Sequence, residues 1–322
     1  MNRWIKIAGN VLTVLAVGFV IWKLASQHID YSALLSRQAI VPLLVIVVAQ
    51  TLIVIANGLP WTLLVSAITD TKISFRQTCP VYLKSNLMKY IPGNIFQYVG
   101  RNEFAARYDV SHIKIASATI VDVALNVLSG FIISLLFFRS YIFDVVAHNR
   151  FVAIGAVICA AGLLALLVVI YAKRQWVKGV ASRYSYLLSG RSIVTILECL
   201  AYYLCVLFAG GVLFALVVYW LLGEPFQLSS SLILVSAYTL AWLVGFITPG
   251  APAGIGIKEA VMIGAVSATV ASPAAITLAM VVTRIIMTIA DVLAFLAIPL
   301  ITRAGKQPVS SDSHQAESTD AQ

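Results

Sequence analysis

Charge is what this sequence has least of. Of its 322 residues, 22 are Lys or Arg and 13 are Asp or Glu, so 11% are charged while 61% are apolar and the mean hydropathy is +0.95. An ordinary soluble domain carries roughly 25% charged and about 45–50% apolar residues. So little charge excludes a water-facing globule of this size, and lipid must be the solvent for most of the surface. Catalytic signatures are missing as well. There is no Walker loop, no zinc-type His pair and no G-x-S-x-G elbow, and Gly254 and Gly256 sit in no βαβ unit that would make them a dinucleotide loop. His28, His112, His148 and His314 fall at helix ends or in the tail. Cys79, Cys159, Cys199 and Cys205 lack ligand spacing and read as small buried hydrophobes. No metal and no cofactor is expected. The net charge of +9 comes without a nucleic-acid fold signature, so no nucleic-acid partner is expected either.

What the sequence does have is long apolar runs. At ~20 residues per span, spanning helices are predicted over 4–25, 40–68, 115–138, 151–172, 192–222, 228–248 and 274–302, with 256–271 as either a thin eighth span or half of a re-entrant hairpin. The fold class is therefore all-α, a polytopic transmembrane bundle of seven to eight spans. The first run is too long for a signal-peptide core and no small-residue cleavage site follows it, so it reads as a spanning helix. Basic residues cluster before it, between Lys72 and Arg107, and between Lys173 and Arg191. Those segments are expected in the cytoplasm, which places the N-terminus inside and the chain in the cytoplasmic membrane. Trp4, Trp22, Trp61, Trp176 and Trp220 are expected as interface anchors. Residues 1–305 form the membrane domain, and the polar stretch 306–322 is expected as a disordered tail.

Two segments depart from plain lipid anchors: Leu83–Phe104 and Gly245–Ala260. In the first, Pro92 and Gly93 are followed by Gly100, Arg101 and Glu103; in the second, Pro249 and Gly250 are followed by Gly254, Gly256, Lys258 and Glu259. The shared order suggests a diverged internal duplication. Proline removes a backbone donor and glycine tolerates positive φ, so each segment should break a helix. Freed backbone groups survive at membrane depth only inside protein or beside a water-filled cavity, and a half-helix N-terminus suits an anion. Lys84, Lys89, Tyr90, Asn94, Gln97, Arg101, Glu103, Lys258 and Glu259 are thus candidates for binding a lipid headgroup. The plainer readings are a topogenic basic loop for the first segment and a tight turn for the second.

Ionisable side chains inside a span are costly and so are functional or paired. Arg284 and Asp291 stand seven residues apart on one face, about 10 Å along the axis, and Asp122 and Asn126 share a face of another span. A pairing of Asp122 with Arg284 would join the two halves; a buried pair that only fixes helix packing is the alternative.

The segments KYIPGNIFQYVGR and TPGAPAGIGIKEA resemble the lysylphosphatidylglycerol synthase transmembrane-region family of flippase-like membrane proteins. The matches are Lys89, Tyr90, Pro92, Gly93, Asn94, Gly100 and Arg101, then Pro249, Gly250, Gly254, Gly256, Lys258 and Glu259, over residues 1 to about 305. Ala251, Pro252 and Ala253 depart from the family's Pro-Gly-Gly pattern. Bifunctional members carry a soluble aminoacyl-transferase domain, which this chain is expected to lack. The resemblance therefore implies the translocating activity, moving an anionic lipid or a polyprenyl-phosphate-linked sugar between leaflets. Membrane lipids are the expected partners, with an envelope glycosyltransferase or lipid-synthesis enzyme alongside. The rival readings are a membrane-embedded transferase using Glu103 or Glu259 as a base, and a non-transporting partner of an envelope-polysaccharide synthase. Replacing Arg101 or Lys258 by Ala is expected to slow lipid movement without loss of folded protein.

Overall fold

A computed structural model describes residues 37–90, 96–148, 189–221, 223, 227–247, 257–266 and 273–303. Among them there is helix and no strand. The helices are α1 (Arg37–Ala56), α2 (Gly58–Thr69), α3 (Phe75–Leu87) followed by a 3-10 turn (Met88–Tyr90), α4 (Phe96–Arg101), α5 (Glu103–Tyr108), α6 (His112–His148), α7 (Gly190–Leu216) running into a π turn (Val217–Leu221), α8 (Leu228–Ile247), α9 (Ile257–Val266), α10 (Pro273–Leu296) and α11 (Ile298–Arg303).

Five stretches are long and apolar enough to cross a bilayer: Ile40–Thr69, His112–Leu136, Gly190–Trp220, Leu228–Phe246 and Ala275–Thr302. The chain is a membrane protein with an all-α bundle. The predicted spans over 4–25 and 151–172 and the tail 306–322 lie outside the described residues. Where a single helix is expected over 40–68, the chain forms two, with Asn57 between them donating its N–H to Ile53 O at 2.9 Å. Pro60 falls in the first turn of α2, where its missing N–H leaves no bond unmade. The segment predicted as a thin span or hairpin half contains α9, which has ten residues. At 1.5 Å per residue it is about 15 Å long, half the ~30 Å of hydrocarbon, and cannot cross alone.

The apolar side chains divide between an interior and a lipid-facing skin. Along α1, Ile46, Val47 and Val54 are buried while Val41, Leu44, Val45, Val48 and Leu52 are exposed, as expected where hydrocarbon lies on the outer side. Small residues set the helix spacing. Gly211 on α7 approaches α8 so closely that a Cβ there would lie 3.0 Å from the Cα of Val235. Two core clusters result, one joining α8, α9 and the first half of α10, the other joining α2, α3, α5 and α6. Helices α1, α7 and α10 contribute to both, and the polar space of the molecule lies along these shared helices.

Three expectations about single residues are corrected. Trp61 is fully buried instead of anchoring at an interface, because its indole N–H finds an acceptor inside, Thr119 Oγ1 at 3.3 Å, and its ring meets Phe104 edge-on. Cys79 and Cys199 are buried, but Cys205 is exposed on the outer face of α7. Gly100 lies within α4 and not at an interruption; a Cβ there would lie 2.8 Å from Met88 Sδ and 3.1 Å from Ser85 Cβ, so glycine is required by the approach of α4 to α3.

Candidate functional site

A cavity of about 280 Å³ with a mixed polar and apolar lining opens between the helices. Its wall is built from one stripe of each element. On α10 the lining residues are Met280, Thr283, Arg284, Met287, Thr288 and Asp291, the spacing of a single helix face. On α1 they are Gln50, Ile53 and Val54, with Asn57 just after it, and on α6 Asp122, Val123 and Asn126. Polar residues are affordable in these spans because they point at each other and not at lipid.

Its charges fall into three ion pairs and one remainder. In the first pair Arg101 Nη1 lies 2.6 Å from Asp122 Oδ2, and the Tyr203 hydroxyl donates to the other carboxylate oxygen. Both charged side chains are almost fully buried. The Arg101 guanidinium is also caged by aromatic rings, 4.5 Å from the centre of Tyr82, 5.5 Å from Tyr98 and 5.7 Å from Trp61. Those contacts replace part of its lost hydration. The predicted pairing of Asp122 with Arg284 is not formed. The nearer base on α4 takes the carboxylate, and Arg284 binds Glu259.

In the second pair Lys89 Nζ lies 2.7 Å from Asp291 Oδ2. The same carboxylate accepts from the Tyr90 hydroxyl at 2.5 Å and from Asn86 Nδ2 at 2.8 Å. Three donors surround this one buried acid and satisfy its oxygens. Burial, with Asp291 beside it, holds the Tyr90 phenol well above its ordinary pKa, so it remains a donor. This cluster ties the 3-10 turn after α3 to α10.

The third pair, Arg284 with Glu259, ties α10 to α9. It mirrors the first with the charges exchanged. In one half a base of the broken segment meets an acid of the next long helix; in the other an acid of the broken segment meets a base of the next long helix.

Lys258 is left over. It lines the cavity, and no described residue offers it a salt bridge or a hydrogen bond. Desolvation, helped by the neighbouring Lys89 and Arg284 and opposed by Glu259 and Asp291, pushes its ammonium down to about 8. The charged form still predominates at neutral pH.

Lys89, Tyr90, Gln97, Arg101, Lys258, Asp122, Asn126, Arg284 and Asp291 are thus brought to one cavity, although the sequence holds them in four separated stretches. Lys84 and Glu103 are not part of it. They pair with each other at 3.3 Å, about a quarter exposed. Glu259 stands behind Arg284 and does not face the cavity. Asn94 and the break residues Pro92, Gly93, Pro249, Gly250, Gly254 and Gly256 lie outside the described residues. Sequence reasoning missed Gln50, Asn57, Asn86, Tyr203, Trp242 and Thr283. Gln50 and Asn57 did carry a signal, two amides seven residues apart in an otherwise apolar run. Tyr203 carried none, since a tyrosine in a span is equally at home at an interface.

Among the described residues no group of three His, Cys, Asp or Glu could hold a metal ion. No family model matches this chain, and no curated protein matches it at a significant level; the functional reading rests on its residues and their geometry.

Proposed function

We propose that the cavity binds the anionic headgroup of a membrane lipid, or of a polyprenyl-phosphate-linked sugar, and that the chain passes it between the leaflets of the cytoplasmic membrane, with its N-terminus inside. The observation that carries this reading is Lys258, the cation left over once the other cavity charges have paired. A partly desolvated ammonium with no ion-pair partner among the described residues is costly, and an anionic ligand reduces that cost. Lys258 stands in the first turn of α9, where backbone N–H groups and the positive dipole end favour the same charge. The resemblance to the flippase-like family supports transport, as does the fixing of both glutamates that a transferase would need as a base, Glu103 by Lys84 and Glu259 by Arg284. An envelope glycosyltransferase or lipid-synthesis enzyme is the natural supplier of such a substrate.

The test is leaflet exchange of a fluorescent anionic lipid in vesicles reconstituted with the full chain. Lys258→Met keeps the length of the side chain and removes its charge. Loss of one charge-assisted contact, about 1.5–3 kcal/mol, slows exchange by roughly tenfold or more. Exchange in wild-type vesicles no faster than in protein-free ones, or unchanged in Lys258→Met, refutes the proposal. Arg101→Ala is unsuitable as the probe, contrary to the expectation from sequence, because it strands Asp122 in the interior.

A further inference from the structure

Resting on the anionic-headgroup reading, the cavity also holds information about what accompanies the anion. Three of its amides, Gln50, Asn57 and Gln97, have no side-chain hydrogen-bond partner among the described residues, and Gln50 and Gln97 are buried. Arg101 Nε and Thr283 Oγ1 are fully buried and have no partner among the described residues. Each amide offers two donor hydrogens and a carbonyl oxygen with two lone pairs. A phosphate or carboxylate oxygen only accepts, so a bare anion leaves those carbonyl oxygens unmatched. Matching them directly takes a ligand that donates as well as accepts.

Part of the remaining wall is aromatic, beside aliphatic residues such as Val206, Leu207 and Met280. Trp242 and Phe246 stack at 5.2 Å with planes 19° apart, and Tyr98 meets Phe246 edge-on at 6.3 Å. All three line the cavity. Such a surface accepts the C–H face of a saturated ring whose edge bears hydroxyls. A cationic headgroup is opposed by Lys258, and three of the nearby aromatic rings are already engaged by Arg101.

We propose that the ligand of this cavity is a singly charged phosphodiester whose headgroup is an uncharged polyol, a hexosyl or cyclitol ring held by Gln50, Asn57 and Gln97 against Trp242 and Phe246, with its phosphate on Lys258.

Charge and hydroxyl content separate in a series of lipids with identical tails. Phosphatidylmethanol, phosphatidylglycerol and phosphatidylinositol share one phosphodiester charge and carry increasing numbers of hydroxyls; phosphatidylcholine is the zwitterionic control. Binding to the full-length protein in detergent is read by tryptophan fluorescence and by competition in native mass spectrometry. Affinity is expected to rise along the anionic series by roughly tenfold or more from methyl to inositol, the value of one or two net hydrogen bonds. In Gln50→Leu the ratio of inositol to methyl affinity falls toward one. That variant removes an amide that has no side-chain partner among the described residues and keeps an apolar side chain of similar size, so a folded protein is expected for the measurement. Equal affinity for the three anionic lipids overturns the polyol assignment and leaves the anionic-headgroup reading standing. Choline lipid binding as tightly as methyl lipid overturns both.

Discussion

Cutting the Arg101–Asp122 pair on one side tests the architecture most directly. Both side chains are buried, at 7% and 2% exposure, so Asp122→Leu leaves a guanidinium in the interior without its counter-charge. Removing one partner of such a pair costs about 3–5 kcal/mol. The same substitution strips the Tyr203 hydroxyl of its acceptor, which adds roughly 1–3 kcal/mol. The aromatic cage of Tyr82, Tyr98 and Trp61 stays in place and offsets part of this, by about 0.5–2 kcal/mol. The net loss is then of the order of 2–7.5 kcal/mol, or a fall in apparent melting temperature of roughly 4–30 °C. Adding Arg101→Met removes the stranded charge and recovers most of the loss. Adding Tyr203→Phe to those two removes the orphaned hydroxyl, and the triple variant returns to within about 1–2 kcal/mol of wild type, since an apolar replacement of a buried pair is often neutral. The assay is thermal aggregation of the detergent-purified variants followed by size-exclusion chromatography, each scanned at one rate because unfolding of such proteins is irreversible. Additive losses, with the triple variant the least stable of all, would refute the assigned network. So would rescue of Asp122→Leu by a change at Arg284 and not at Arg101.

Two adjacent glycines make an internal control for helix spacing. Gly211→Ala places a Cβ 2.7 Å from Val235 Cγ1 and 3.0 Å from its Cα and should destabilise by about 1–3 kcal/mol, whereas Gly210→Ala meets nothing within 4 Å and should not; thermal stability in detergent distinguishes them. Tyr90→Phe removes one of three donors to Asp291 and should cost about 1.5–3 kcal/mol by the same measurement. Lys258 sets a pH dependence. Its ammonium is charged below about 8 and neutral above, so affinity for an anionic lipid should fall as pH rises through 8 and should stay flat over that range in Lys258→Met. The folded-state value lies below the ordinary lysine value of 10.5; the unfolded chain therefore binds more protons between about 8 and 10.5, and the contribution of Lys258 makes the protein more stable as pH rises through that window. A titration showing the opposite slope would remove Lys258 from the cavity wall.

Much of the bundle was legible because its cause is local. A lipid solvent demands runs of apolar residues of fixed length, and the runs around residues 40, 115, 192, 228 and 274 announce themselves by composition alone. Same-face relations within one helix were equally readable, since 3.6 residues per turn fixes them: Asp122 with Asn126, and Arg284 with Asp291, do share the cavity face. The interruption at Asn57 was less visible, because Asn, Gly and Pro over four residues still leave the stretch apolar enough to read as one span.

Partner choice was not legible. The sequence by itself determined that Asp122 and Arg284 could not stand alone in a span, because an isolated charge there is too costly. It could not determine that Asp122 would meet Arg101 and Tyr203 while Arg284 met Glu259, because either acid could have satisfied either base on energetic grounds. That was decided by tertiary structure, through the packing of α6 beside α4 and α7 and of α10 beside α9. The same packing turned Trp61 inward, made Gly100 and Gly211 obligatory, and brought Gln50, Asn57 and Gln97 to the cavity that Lys258 lines. The sequence specifies which groups must not face lipid. Only the arrangement of the helices, each a rigid cylinder with one polar stripe, decides which of those groups face one another and which is left to face a ligand.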